Sequence, residues 1–240
     1  MGVLIEASVA NVYHYTPLHY LPFIARTRSL LCKPSIVVAG FPEKHLRSKS
    51  NAQDVARGFG SYTHLTLDSH PNILKAKLGA GFPHVQIVIP AEVIDASDYS
   101  LCRYNVAMTR YLRRNGKPGV PESPTNGRYY DVHQIPVART DADKSAMLSV
   151  HLAANTMIEV LIHGDLLLTD ETTIVCFSAE DADLVQRVLS ETGSLWQINT
   201  AVSPSPYARK ASYGEAVREY INRALADPTW RGDGLEFDNV

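Results

Sequence analysis

The sequence predicts a single α+β domain, and two observations carry this prediction. Strand-like segments outnumber helical ones in the middle of the 240-residue chain and do not alternate regularly with them, which is typical of α+β folds. No Gly-x-Gly-x-x-Gly turn joins a strand to a helix, so a Rossmann dinucleotide site is not indicated. We expect residues 1–200 to form the body of the domain and residues 201–240 to add a helix and tail packed on it.

Composition and charge narrow the class of protein. Hydrophobic residues make up 45% of the chain and charged residues 20%, as in ordinary globular proteins. The formal net charge of −2 excludes a uniformly basic surface but allows local basic patches. No apolar run approaches the roughly 18 residues of a membrane helix. The N-terminus carries Glu6 and no basic region. We therefore expect neither a membrane segment nor a signal peptide.

The spacing of cysteines and histidines predicts no disulfide and no metal site. The three cysteines, Cys32, Cys102 and Cys176, are isolated and odd in number. This usage favours reduced, buried thiols in a cytoplasmic protein. The nine histidines are scattered and form no His-x-x-x-His or His-Glu-x-x-His pattern, so we assign no metal ligand.

The first element is a strand over Val12–Thr16, built from β-branched and aromatic residues. Pro17 can start a helix because its missing N–H costs nothing in the first turn. His14 and Thr16 lie two residues apart on the strand and therefore share one face. Such a pair next to a turn suits a small-molecule site. It equally suits a hydrogen-bonded core histidine beside a threonine cap.

The remaining elements follow from alternation, helical spacing and caps. Ser35–Gly40 reads as a short buried strand or turn. In the strand Ser61–Leu67, Tyr62, His64 and Thr66 share one face. Further predicted elements are a strand at Val85–Ile89, a helical turn at Ala91–Ile94, a helix at Ala142–Met157, strands at Met157–Gly164 and Glu171–Ser178, a helix at Ala179–Glu191 with Ser178 as N-cap, and a last helix at Tyr213–Ala226.

One stretch of the chain, residues 102–119, concentrates basic side chains. It is either a solvated helix face or a nucleic-acid contact, since cations follow phosphates and aromatic rings can stack on bases. The segment at 116–130 is rich in proline and glycine and is expected to be a substrate-facing loop. The basic residues are Arg103, Arg110, Arg113, Arg114 and Lys117, with Tyr104 and Tyr111 among them.

Glu159 is the strongest candidate for a catalytic group. It lies in the apolar strand sequence Met-Ile-Glu-Val-Leu-Ile-His-Gly, where burying a lone carboxylate is costly unless it has a partner. Alternation places Glu159, Leu161 and His163 on one face. The alternative is a glutamate at a strand edge that faces water.

The order of these motifs resembles the DarT-like ADP-ribosyltransferases, which modify bases of nucleic acid. The resemblance spans residues 12–190 and rests on short motifs in a common order. These are YHYTPLHYLPFI (Tyr13–Ile24), KHLRSKS (Lys44–Ser50), SYTHLTLDSHPNIL (Ser61–Leu74), YNVAMTR (Tyr104–Arg110) and IEVLIHG (Ile158–Gly164). It implies an ADP-ribosyltransferase-like fold, with central mixed or antiparallel β-sheets flanked by helices and a catalytic domain over residues 1–200.

The resemblance also implies roles for individual residues. Glu159 is the implied catalytic glutamate, and His14 and Thr16 are implied contacts of NAD. Arg47 is implied in catalysis and in binding an NAD phosphate, with Lys49 and Arg57 as alternatives. A family asparagine near Leu21–Pro22 has no counterpart here, so that role is left unassigned. The implied nucleic-acid contacts are Tyr104, Asn105, Arg110, Arg113 and Arg114.

The implied activity is transfer of ADP-ribose from NAD to a base of DNA or RNA, by a toxin or anti-phage effector that could pair with an antitoxin. A protein or a free nucleoside as acceptor stays open, because the net charge is near zero. Removal of a 2′-phosphate from RNA would need several converging basic residues, which the sequence does not clearly supply. A non-catalytic binding module on the same scaffold is the alternative from a different class.

Overall fold

The computed structural model describes residues 2–41, 58–69, 78, 83–103, 137–154, 158–200 and 211–232. The elements within these ranges are numbered in chain order. The helices are α1 (Val3–Glu6), α2 (Leu21–Thr27, preceded by a 3-10 turn at Leu18–Tyr20), α3 (Lys33–Val38), α4 (Ala91–Asp95), α5 (Asp141–Ala154), α6 (Ala179–Thr192) and α7 (Ala211–Ala226). The strands are β1 (Asn11–Pro17), β2 (Ser29–Leu30), β3 (Tyr62–Thr66), β4 (His84–Pro90), β5 (Tyr99–Cys102), β6 (Val137–Ala138), β7 (Glu159–His163), β8 (Leu166–Leu167), β9 (Thr173–Cys176) and β10 (Gln197–Thr200).

A central mixed sheet organises the fold. Its strand order is β10-β9-β4-β1-β3-β7-β5-β6, while β2 and β8 form a separate two-stranded sheet. The pair β9–β10 is parallel, and the other strand pairs are antiparallel. The predicted α+β class, with a mixed and mostly antiparallel sheet flanked by helices, is confirmed.

The sheet has a weak junction between β1 and β3. β1 pairs with β4 over its whole length, and β3 pairs with β7 from Tyr62 opposite His163 to Thr66 opposite Glu159. Between β1 and β3, the described residues register only Tyr13 opposite Thr66. Among the described residues, the main-chain register between the two halves of the sheet, β10-β9-β4-β1 and β3-β7-β5-β6, is therefore limited to this pair.

Helices pack in two groups around the sheet. α2, α6 and α7 contact one another, and α1 packs on α4 and α5. The central strands are apolar and inaccessible: Ile87 and Ile89 of β4 and Val160 of β7 are fully buried. Tyr220 of α7 lies in a smaller aromatic cluster beside α2. Within the described part of the chain, no helix has the length and apolar character needed to cross a membrane.

Asp95 fixes the N-terminal helix to the sheet. Its carboxylate accepts the backbone N–H groups of Leu4 and Ile5, at 3.1 Å each, and the hydroxyl of Tyr99 at 2.8 Å. Gly2 leaves room for this carboxylate, since a Cβ there would lie 2.1 Å from the Asp95 Cγ. A helix of one turn acquires its stability from such tertiary bonds. α1 was accordingly not predicted from the sequence.

One predicted element is wrong. Ser35–Gly40, expected as a buried strand or turn, lies in helix α3 and the turn that follows it. Pro34 occupies the first turn of α3, where its missing N–H is tolerated, and Cys32 precedes the helix in an extended conformation. None of the β-branched residues of α3 is buried in the core, and Val38 is 87% exposed. The three cysteines are free and buried, as predicted.

Candidate functional site

Glu159 opens β7 and is 5% exposed, although it is an acidic residue in an apolar strand. β7 lies between β3 and β5, so Glu159 does not face water at a sheet edge. The ring of His64 lies beside it: His64 Nδ1–H donates a hydrogen bond to Glu159 Oε1 at 3.1 Å. The register explains this contact. Thr66 lies opposite Glu159, which makes His64 its diagonal neighbour on the same face of the sheet.

His64 meets acceptors at both ring nitrogens. Nδ1 faces the carboxylate of Glu159, and Nε2 faces the backbone carbonyl of Phe59 at 3.3 Å. A neutral imidazole carries one N–H, whereas the protonated ring carries two and can donate to both partners. This arrangement therefore fits an imidazolium–carboxylate pair, with 22% of the His64 side chain and 6% of the Glu159 side chain exposed.

His14 lies at the junction of the two half-sheets. Its Nδ1–H donates to the backbone carbonyl of His64 at 3.0 Å. A carbonyl only accepts, so Nδ1 of His14 carries a hydrogen. The side chain of His14 thus joins β1 to β3 beside the one residue pair at which their main chains are in register. His14 thus contacts the backbone of His64, whereas Glu159 contacts its ring; by alternation along β1, His14 faces the opposite way from Tyr13, which lies opposite Thr66.

Thr16 and Tyr13 take different positions around the same junction. Thr16 is buried, lies opposite Val85 of β4, and shares one face of β1 with His14. Tyr13 lies opposite Thr66, which in turn lies opposite Glu159, so these three side chains share a face of the sheet. Burial, together with the charge of Asp68, raises the pKa of Tyr13. Its hydroxyl therefore stays protonated and can donate a hydrogen bond.

Side chains also bridge the two half-sheets beyond the end of β3. Gln86 of β4 donates from Nε2 to the Tyr15 hydroxyl at 2.8 Å and to the carbonyl of Ser69 at 2.9 Å. The Tyr15 hydroxyl donates to the carbonyl of Asp68 at 3.0 Å. Burial raises the pKa of Tyr15, and the hydrogen bond with Gln86 opposes part of that rise. These bonds attach Asp68 and Ser69, which follow β3, to side chains of β1 and β4.

A second polar group, at the other end of β7, has the atom order of a serine-hydrolase triad. His163 bonds through Nδ1 to Asp98 at 2.7 Å, and its Nε2 lies 3.0 Å from Ser100 Oγ. Ser100 is 1% exposed, so a substrate carbonyl has no access to its hydroxyl. We assign this group a structural role, the attachment of β5 to the end of β7.

The other residues predicted for the site lie outside the described residues. They stay predictions from the sequence. They are Arg47, Tyr104, Asn105, Arg110, Arg113 and Arg114.

Comparison with known proteins identifies the fold. No family model matches the sequence, and no curated protein matches it. Among solved structures, the chain is similar to Thermus sp. 2.9 DarT in complex with ADP-ribosylated ssDNA, at 12% identity and a TM-score of 0.54, over 83% of this chain and 97% of that one. It is also similar to Thermus sp. 2.9 DarT in complex with NAD+, at 13% identity and a TM-score of 0.53, over 80% of this chain and 96% of that one. The chain has the DarT fold.

The similarity confirms the fold that the sequence motifs imply. It covers nearly the whole length of both DarT chains. At this level of identity it assigns no residue roles, so the candidate site stands on the geometry of its own side chains. No group of three or more His, Cys, Asp or Glu side chains suited to a metal ion occurs within the described ranges.

Local sequence patterns did not indicate a site role for His64 or Tyr13. Alternation did place His64 on one face of a strand with Tyr62 and Thr66. The contact between His64 and Glu159 follows only from the pairing of β3 with β7, because the two residues are 95 positions apart in the sequence.

Proposed function

We propose that this protein is an NAD-dependent mono-ADP-ribosyltransferase that transfers ADP-ribose to a base of nucleic acid and releases nicotinamide. The observation that carries the proposal is the Glu159 carboxylate, buried and held by the ring of His64 beside the junction of the half-sheets. A buried carboxylate is costly to maintain, and in a site for this reaction it has a defined use.

The two structural neighbours support NAD as co-substrate. One is a DarT complex with NAD+, and the other is a DarT complex with ADP-ribosylated ssDNA. The first complex contains the donor of a transfer reaction and the second contains its modified product, and both are complexes of the same protein. The present chain covers nearly all of both DarT chains, which supports the proposal that it contains a donor site and an acceptor site.

The residues at the junction fit the chemistry of NAD. When bound, NAD supplies the ADP-ribosyl group and nicotinamide as leaving group, with positive charge developing on the ribose as in glycoside cleavage. Glu159 can accept a hydrogen bond from a ribose hydroxyl and stabilise that charge. The hydroxyl of Tyr13, which shares the sheet face of Glu159, can donate a hydrogen bond to a polar group of the donor, and His14 on the other face of β1 is proposed as a further contact of NAD. Arg47 is proposed for a phosphate, since a guanidinium suits oxyanions.

The transfer balances without a further reagent. The bond between ribose and nicotinamide breaks, and a bond forms between the ribose carbon and a ring or exocyclic nitrogen of the base. The base loses one proton, for which Glu159 is the proposed acceptor. The acceptor base must be unstacked, so single-stranded nucleic acid is the proposed substrate. Single-stranded DNA is the first choice, because one neighbour holds ADP-ribosylated ssDNA.

The segment 102–119 is proposed to present that strand. Its cations suit phosphates and its tyrosines suit bases. A modified base obstructs copying of the template, so we propose that the protein acts as a toxin or anti-phage effector in the cytoplasm, with an antitoxin as its partner. The three buried, free cysteines agree with a reducing compartment.

Incubation with adenine-labelled NAD and separate pools of single-stranded DNA, RNA and protein tests the proposal. We expect nicotinamide release together with label on DNA. Label on RNA, protein or free nucleoside would keep the enzyme class and replace the acceptor. Absence of both nicotinamide release and label would favour a non-catalytic binding module and overturn the proposed function.

A further inference from the structure

The ring of His64 makes a side-chain hydrogen bond to Glu159, and the two residues come from neighbouring strands. Nothing in the motif order assigns a role to His64. Each ring nitrogen of His64 has its own partner: Nδ1–H donates to Glu159 Oε1, and Nε2 faces the carbonyl of Phe59. The ring is therefore held at two points and offers the carboxylate a donor in a fixed direction.

We infer that His64 is a positioning residue for Glu159. Its Nδ1–H holds Oε1, and the second carboxylate oxygen is thereby set in one orientation toward the donor ribose. This inference rests on the proposed function and adds to it the group that orders the catalytic carboxylate.

The backbone beneath His64 is fixed as well. The carbonyl of His64 accepts the Nδ1–H of His14 at 3.0 Å, and β3 is in register with β7 on its other side. The position of His64 is thus determined by β1 through a side chain and by β7 through the main-chain ladder. A carboxylate that takes its orientation from this ring is tied to both half-sheets, between which the donor is proposed to lie.

Two other roles for His64 fit the geometry less well. A general base would need a ring nitrogen that accepts, and both nitrogens of His64 face acceptors. A purely structural role would not explain why the Nδ1–H of His64 donates to a buried carboxylate that is followed in β7 by three apolar residues. Positioning accounts for both contacts.

Three substitutions separate the two ring nitrogens. In His64→Asn, the side-chain amide NH₂ can occupy the place of Nδ1 and still donate to Glu159. In His64→Gln, the amide reaches the place of Nε2 and no longer donates to Glu159 Oε1. His64→Leu removes both donors. The matched control is His163→Gln, which alters the second histidine–carboxylate pair on the same strand and sheet face, and whose amide reaches the place of Nε2 beside Ser100.

We expect His64→Leu and His64→Gln to lower kcat for nicotinamide release by about 100-fold, because a misplaced catalytic group costs about that factor. The Kd for NAD should change by less than about threefold, since other residues bind the donor. His64→Asn should recover kcat to within about tenfold of wild type, and His163→Gln should stay within about threefold. Thermal unfolding of each variant identifies any loss that comes from misfolding.

A readout independent of turnover uses ¹⁵N-histidine-labelled protein. The Nδ1–H signal of His64 should be visible in the wild type and shifted or lost in Glu159→Ala. A wild-type protein that lacks this signal would contradict the hydrogen bond itself.

The outcomes separate this inference from the proposed function. If the wild type turns over and His64→Leu keeps its kcat, or if His64→Gln recovers as much as His64→Asn, positioning through Nδ1 is wrong and the proposed function stands. If the wild type transfers to no acceptor pool, the proposed function fails and the inference fails with it.

Discussion

The replacement of Glu159 by glutamine isolates the charge of the carboxylate. Glutamine has nearly the same volume and keeps an oxygen that can accept the Nδ1–H of His64, so packing around this buried position is retained. The free energy of unfolding should fall by less than the about 3–5 kcal/mol of a broken buried ion pair, because the amide oxygen keeps the hydrogen bond with His64 and the His64 ring is partly exposed. The variant loses the negative charge that would face the developing positive charge of the ribose.

The size of the catalytic loss follows from electrostatics. Two unit charges about 4 Å apart interact by about 4 kcal/mol at an effective dielectric constant of about 20. At about 1.36 kcal/mol for each factor of ten, this corresponds to about 1,000-fold in rate. Charge development in the transition state is partial, so we expect kcat to fall by about 100- to 1,000-fold. The Kd for NAD should stay within about threefold, because the interaction is made mainly in the transition state.

Nicotinamide release in the presence of single-stranded DNA measures this loss, and calorimetry measures the Kd for NAD. Asp98→Asn is the matched control, since Asp98 also pairs with a histidine but its side chain is 77% exposed. It should leave kcat within about threefold of wild type. A Glu159→Gln protein that is folded and turns over at the wild-type rate would refute the assignment of Glu159.

Three further predictions test other parts of the molecule. Replacing Arg113 and Arg114 together by Glu should weaken oligonucleotide binding and reduce its dependence on salt, because fewer counterions are released, while NAD affinity is unchanged. Fluorescence anisotropy at several salt concentrations checks this, and unchanged oligonucleotide affinity would rule out that role. Asp95→Ala should lower the free energy of unfolding by about 2–4 kcal/mol, because two backbone N–H groups of α1 and the Tyr99 hydroxyl lose a charged acceptor. A urea titration that shows a loss below about 1 kcal/mol would contradict this account of α1. Burial, with a contribution from a nearby carboxylate, raises the pKa of Cys176 to about 12. The native thiol should therefore be inert to a thiol reagent near pH 8.5 and react on unfolding, and stability should fall as pH rises above the ordinary thiol pKa of about 8.5, where the unfolded chain ionises first. Rapid modification of Cys176 in the folded protein would contradict its burial.

Local patterns predicted the elements whose side chains alternate between core and solvent or follow a helical repeat. β1 and β3 were predicted because a buried or half-buried strand repeats every second residue. Helix α6 was predicted from its N-cap, and the Ser178 hydroxyl does accept the backbone N–H of Asp181 at 3.1 Å. In each of these, residues close in sequence determine the conformation.

Elements that depend on distant contacts or lack a buried face were not predicted. β10 (Gln197–Thr200) is mostly exposed, so its residues carry little alternation, and it forms by parallel pairing with β9. In α3, the β-branched residues favoured a strand, whereas a proline in the first turn and an exposed location allow a helix. β-propensity reflects packing against neighbouring strands, and the exposed residues of α3 have no such surface.

The same distinction applies to the candidate site. An acidic residue in an apolar strand indicated that Glu159 is buried and has a partner, and both are observed. The identity of that partner depends on the register of β3 against β7. The contact of His14 with the backbone of His64 depends on the pairing of β1 with β3. Neither register can be read from one sequence without knowledge of strand order.

The measurement that tests the central claim most directly is the mass of a single-stranded DNA oligonucleotide after incubation with the protein and NAD. The account predicts a product heavier by one ADP-ribosyl group, formed together with free nicotinamide and absent from a reaction with folded Glu159→Gln. An oligonucleotide of unchanged mass would contradict base modification of DNA, and a modified oligonucleotide formed equally well by Glu159→Gln would contradict the role of the buried carboxylate.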